Sequence, residues 1–184
     1  MPNPADAAVA TRHDLDVSPA LSIVTNRPQR FEWRKLGILV TDGVDAKLLN
    51  ALKAAVIKAG GSCEIVAPNV TGAEADDGTL IGVDEMIDGG PSVLFDAVAL
   101  LPGAAGINDL LAESTARDFV ADAFAHCKFI AYVEAARPLL EKAGIDNTLD
   151  DGCVALSGPK DVASFLNVLG ALRLWAREPK VKMS

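Results

Sequence analysis

Lys128–Leu140 reads KFIAYVEAARPLL. An unbroken apolar run gives way to a turn of small residues, then to a segment with Pro138 in what would be its first helical turn. A short apolar run is the pattern of a strand covered on both faces. Proline suits a helix start, because its missing N–H has no intrahelical partner there. The stretch therefore predicts strand, tight turn, helix. In many three-layer α/β enzymes such a turn raises a nucleophile above the sheet and aims helix amides at a developing oxyanion. Here the turn holds Glu134, Ala135 and Ala136, with no Ser, Cys or Thr.

The sequence on either side repeats the alternation. Upstream, Phe95–Gly103 (FDAVALLPG) predicts a central strand, and short and longer helices are expected over Asn108–Ala112 and Ala116–Cys127. Further upstream, KLGILV at Lys35–Val40 is another strand, with Thr41 or Asp42 as candidate N-cap of the helix that follows. Leu48, Leu49, Leu52, Ala55, Val56 and Ala59 mark one face of that helix, and Gly60-Gly61 ends it. CEIVA, Cys63–Ala67, completes a right-handed βαβ unit. Asp77-Gly78 before TLIGV predicts a small antiparallel hairpin. Downstream, Gly144 closes the elbow helix, CVALS (Cys153–Ser157) is a last strand, and Ser157 is the expected cap of a helix lined by Val162, Phe165, Leu166, Leu169 and Leu172. Glu178–Ser184 is expected to fray. These elements predict a three-layer, flavodoxin-like, doubly wound α/β fold with a mostly parallel sheet and a small antiparallel excursion.

Residues 1–33 stand apart. Pro2, Pro4, Pro19 and Pro28 interrupt a polar, Ala-rich stretch without lasting periodicity, which predicts a linker or tail. The domain proper is expected over 34–184, with Phe31 and Trp33 anchoring the tail and Ala20–Val24 docking on the body. Trp175 is expected to be a packing anchor too.

Composition excludes several functions. With 25 acidic against 17 basic residues, the formal net charge is −8, which repels phosphate backbones. Nucleic-acid and membrane partners are not expected. No run reaches the length of a membrane span, and the N-terminus lacks the pattern of a signal peptide. Cys63, Cys127 and Cys153 are odd in number and far apart, as free thiols in a reducing cytoplasm would be. His13 and His126 are too few and scattered for a metal or haem site, and no glycine run has the spacing of a phosphate loop.

Sites in doubly wound sheets gather at the carboxyl ends of strands, which selects the loops Thr41–Asp45, Pro102–Gly106 and Glu134–Pro138. Asp42 and Asp45 are the carboxylates expected to converge with Glu134. Glu134 is the candidate for a carboxylate nucleophile, although a Glu at a helix N-terminus is also what the helix dipole favours without any chemistry. His126 is expected at the opposite edge of the sheet. Asp76-Asp77 and Asp150-Asp151 read as solvated turns.

LGILVTDGVDAKLLNAL, DGGPSVLFDAVALLPG and ARDFVADAFAHCKFIAYVEAARPLLEKAGI, in that order and at that spacing, resemble the C-terminal domain of large-subunit monofunctional haem catalases. SPALSIVTN resembles the linker that joins this domain to the catalase core. The resemblance runs from about Asp14 to Arg177. The domain is in turn similar to the class I glutamine amidotransferase-like superfamily, which includes PfpI-type proteases and the Parkinson-associated deglycase.

The resemblance implies that the superfamily's nucleophilic Cys is replaced here by Glu134, beside Ala135. Asp45 is the nearest match to its acidic partner. Its His would fall near Cys153–Ser157, where there is none. It therefore implies a vestigial, non-catalytic site and no cofactor in this chain, with haem in the core of a parent that disproportionates hydrogen peroxide. Implied partners are that core, its tetramer and, for a chaperone-like domain, unfolded client proteins. The chain is expected to be a piece of such a parent, and cytoplasmic. A PfpI-like hydrolase or deglycase using the elbow carboxylate, and a small-molecule-binding module, are the alternatives.

Overall fold

The apolar run Lys35–Val40 forms strand β1 at the middle of a parallel sheet. The computed structural model describes residues 5, 6 and 8–181. On one side of β1 lies β2 (Ser62–Ala67), with Lys35 opposite Ser62. On the other lies β6 (Ala97–Leu101), with Leu36 opposite Ala97. The sheet continues through β7 (Ile130–Tyr132) to β8 (Cys153–Ala155). A two-residue strand, β5 (Glu85–Met86), adds parallel to β2 at the far edge, giving the order β5-β2-β1-β6-β7-β8. The hairpin expected around Asp77-Gly78 is a separate antiparallel pair, β3 (Ala73–Glu74) with β4 (Leu80–Ile81). Gly78 sits at φ 83° in its turn, a conformation glycine adopts without a Cβ clash.

Both faces of the sheet are covered, as parallel sheets require. Side chains alternate along β1: Leu36, Ile38 and Val40 join one core and Leu39 the other. The first core lies under helices α2 (Ala46–Lys58) and α6 (Val162–Leu169), which pack together. The second lies under α3 (Ile107–Ala112), α4 (Ser114–Ala125) and α5 (Arg137–Lys142). On that side Gly37 makes room for Phe95, since a Cβ would lie 2.4 Å from the ring.

Several local expectations are corrected. The N-cap of α2 is Asp45, not Thr41 or Asp42: its side chain accepts the Leu48 amide at 2.9 Å, and Asp76 accepts that of Ala46 at 3.0 Å. Ser157 does not cap the last long helix; its own amide donates to Asp161 at 2.7 Å. That helix stops at Leu169, and Leu172 is turned into the left-handed region. Trp33 is no anchor: it is 87% exposed, and Phe31 alone is buried. Trp175 is half-exposed.

The tail carries a short helix, α1 (Ile23–Asn26), but Leu21 and Ile23 face solvent. What meets the body is Arg27, whose guanidinium donates to the Ala171 carbonyl. Expectations for residues 1–4, 7 and 182–184 lie outside the described residues; within them, Glu178–Val181 forms a helical turn, α7, rather than a frayed end.

Candidate functional site

Four loops meet above the carboxyl edge of the sheet and enclose a cleft of about 440 Å³. Gly43 and Asp45 follow β1, Gly103 follows β6, Glu134 and Ala135 follow β7, and Ser157 follows β8. The floor is fixed by close backbone packing. The Gly103 amide donates to Thr41 Oγ1 at 3.0 Å inside a buried contact. A Cβ on Gly103 would fall 2.1 Å from the Asp42 carbonyl oxygen, and one on Gly106 would fall 2.3 Å from Thr41 Oγ1. These glycines are therefore demanded by the approach of two loops, not by a phosphate.

The sequence candidates separate. Glu134 and Asp45 both line the cleft, whereas Asp42 lines a smaller recess with Asn69 and Asp109. Asp42 accepts the Glu74 amide at 2.8 Å, which ties the β1 loop to the hairpin. Asp45 is engaged in capping α2. Glu134 is 87% exposed at its side chain and lies 3.5 Å from Arg137, which in turn holds Asp146 at 2.8 Å. Such an exposed pair contributes little, since solvent screens it.

The turn itself is relaxed. Val133 stays extended (φ −91°, ψ 161°), and Glu134–Ala136 forms a single 3₁₀ turn that leads into α5. Among the described residues, the non-glycine positions at positive φ are Trp33, Cys127 and Leu172, so Glu134 is not one of them. The strained backbone that lifts a nucleophile in an elbow is missing. The stretch keeps the order strand, turn, helix but not the elbow's geometry.

No cysteine supplies a thiolate either. Desolvation by burial raises the thiol pKa of all three, Cys63 to about 11. A protonated thiol is a poor nucleophile and a poor metal ligand. Among the described residues, no group of three or more His, Cys, Asp or Glu side chains could hold a metal ion. His13 and His126 are exposed and lie outside the cleft's lining, and Tyr132 is packed within the core under α3–α5. His126 ends α4, at the opposite edge of the sheet from Glu134, where its Nδ1 lies 2.8 Å from the Asp122 carbonyl.

Residues 32–179 match the family model described as the C-terminal domain found in long catalases. The chain belongs to that family. It is 60% identical over 183 residues to catalase C of Rhizobium meliloti (strain 1021), covering all of this chain and 26% of that protein. It is 36% identical over 134 residues to catalase HPII of Mycobacterium avium, covering 72% of this chain and 19% of that protein. The chain thus spans about a quarter or less of the length of these relatives. In fold it is similar to oxidized Toxoplasma gondii DJ-1, at TM-score 0.65 and 13% identity, over 82% of this chain and 96% of the other. That likeness shows the fold: a flavodoxin-like, doubly wound α/β architecture shared with DJ-1.

Sequence reasoning missed one arrangement. Asp150, in a sequence pattern typical of a solvated turn, is paired with Arg177, whose side chain is 0% exposed. An Asp-Gly turn normally faces water, and nothing local to residues 150–152 reveals a partner 27 positions away. Likewise Lys128 is buried at the amino edge of the sheet, at 2% exposure. The only local hint was a lysine opening an apolar run.

Proposed function

We propose that this chain is a non-catalytic accessory domain of a haem catalase, whose peroxide-disproportionating site lies in a core outside these residues. The observation that carries the reading is Glu134. It stands in the nucleophile's place, on an unstrained turn, exposed and paired with Arg137. Around it, Asp45 is committed to a helix cap, and Cys153–Ser157 contains no base. Membership of the catalase C-terminal family supports the parent's identity. Three free cysteines fit a reducing compartment such as the cytoplasm.

Residues 1–33 act as the linker to the core in this reading. Val9, Leu15, Val17, Leu21 and Ile23 are all largely exposed there, which is apolar surface awaiting a partner. The domain's role is then to stabilise the parent or its assembly. The test has two arms. The isolated chain titrated with haemin should give no stoichiometric ligated Soret band and evolve no oxygen from peroxide. A parent truncated before residue 34 should lose thermal stability or tetramer. A ligated band, oxygen evolution, or an unaffected truncated parent would overturn the reading.

The same exposed side chains favour a second reading, a chaperone-like domain that holds unfolded clients. It requires suppression of client aggregation by the chain, reduced when residues 1–31 are removed. Equal suppression by an unrelated protein of the same net charge rejects it.

A further inference from the structure

The amino edge of the sheet carries a pocket of about 490 Å³, at the opposite end from the cleft. Its polar end is made by Lys128, just before β7, and Arg173, after α6. The Lys128 ammonium is buried and has three N–H donors. Its one hydrogen bond among the described residues goes to the Ser92 carbonyl, at 2.5 Å. Arg173 donates from a single nitrogen to the carbonyls of Asp96 (2.8 Å) and Leu172 (2.7 Å). Neither cation has a carboxylate within ion-pair distance among the described residues. Ser92, fully buried in the turn that receives Lys128, keeps a hydroxyl with no partner.

A buried ammonium with no carboxylate in contact is costly, because desolvation is not offset by close pairing. Desolvation, and then repulsion by Arg173, lower the Lys128 pKa to about 8, against the opposing pull of Asp96 and Asp122. The group still carries its charge at neutral pH. The pocket therefore concentrates positive charge in a protein of net charge −8, against a single lining carboxylate, Glu178. Apart from His126 and Cys127, the rest of its wall is apolar or aromatic: Val93, Ala125, Val181 and the half-exposed Trp175. Charge at one end and an apolar body at the other is the pattern of a small-molecule site.

We propose that this pocket binds a small organic carboxylate, its charged end between Lys128 and Arg173 and its apolar body against Val93 and Trp175. A bound carboxylate puts a counter-charge in direct contact with both cations, on which Asp96 acts only from beyond ion-pair distance, through charge-assisted hydrogen bonds. The site is independent of the cleft around Glu134 and uses none of its residues.

The 184-residue chain is titrated with benzoate, benzamide and inorganic phosphate at constant ionic strength, followed by amide and Trp175 indole NMR shifts. Saturable benzoate shifts confined to Val93, Trp175, residues 125–128 and Arg173 are expected. Benzamide, which has the body without the charge, and phosphate, which has the charge without the body, should each bind at least tenfold more weakly. Lys128→Met should weaken benzoate at least tenfold. Arg173→Gln, at a half-buried position, tests the same point should the core variant fail to fold. Scattered or unsaturable benzoate shifts, equal binding of benzamide or phosphate, or full benzoate affinity in a folded variant overturns the proposal.

Discussion

Arg177 and Asp150 form a fork-to-fork pair: Nε and Nη2 donate to the two carboxylate oxygens at 2.8 and 2.7 Å. The guanidinium also donates to the carbonyls of Lys128 (2.8 Å) and Phe124 (3.3 Å), and stacks 4.1 Å from the Phe124 ring centroid. One side chain from the C-terminal segment thus ties the turn before β8 to the end of α4 and the approach to β7. Removing one partner of a buried pair strands the other, at about 3–5 kcal/mol. Arg177→Ala and Asp150→Asn should each lower the melting temperature, by roughly 6–20 °C for a chain of this size. Arg177→Lys should rescue little, because an ammonium cannot reproduce the fork. Thermal denaturation followed by circular dichroism reads all three.

The same pair sets an acid limit. Burial alone would raise the Asp150 pKa, but the Arg177 hydrogen bonds and charge, with the Gly152 amide, outweigh it and hold the carboxyl below its usual 3.8. A depressed folded-state pKa means that the unfolded chain binds the proton first. The contribution is complete above the unfolded pKa and is lost as pH falls through the folded one. Urea midpoints of wild type and Asp150→Asn should be furthest apart near neutrality and converge below pH 4. A constant gap would show that the pair's charge is not what stabilises.

Lys128 predicts a slope of the same sign in an alkaline window. Its folded pKa, about 8, lies below the ordinary 10.5. Between those values the unfolded chain binds more protons than the folded one, so this group makes stability rise with pH across that window. Relative to Lys128→Met, wild type should gain stability from pH 8 to pH 10.5 and run parallel below pH 7. A flat difference across pH 8–10.5 contradicts the depressed value.

The sequence displayed the layers because buried parallel strands are short apolar runs, and because the face of α2 recurs at helical spacing. It placed the cleft through the general tendency of such sheets, and Glu134 and Asp45 do line it. It could not show that Asp42 turns away or that the Glu134 turn is unstrained, since both depend on how loops meet in space. Short β5 escaped because two residues carry no periodicity. Cys127 escaped for a different reason. It occupies the left-handed position after α4 (φ 56°), where glycine is the usual signal, and costs on the order of 1 kcal/mol or more there.

Gly103 and Glu134 line the same cleft yet should respond to mutation in contrasting ways. A methyl group at Gly103 meets the Asp42 carbonyl oxygen at 2.1 Å and Gly43 backbone atoms at 2.4 Å, with no flexible side chain to yield. Gly103→Ala must push the β1 and β6 loops apart, break the Thr41 hydrogen bond at 3.0 Å and open the cleft. A loss of about 1–3 kcal/mol is expected, the usual range for overpacking. Glu134→Gln removes only an exposed, screened pair, so stability should stay within about 0.5 kcal/mol. Urea melts of the two variants separate the roles. A large loss at Glu134 with none at Gly103 would mean that the carboxylate, rather than the glycine contact, holds the cleft together.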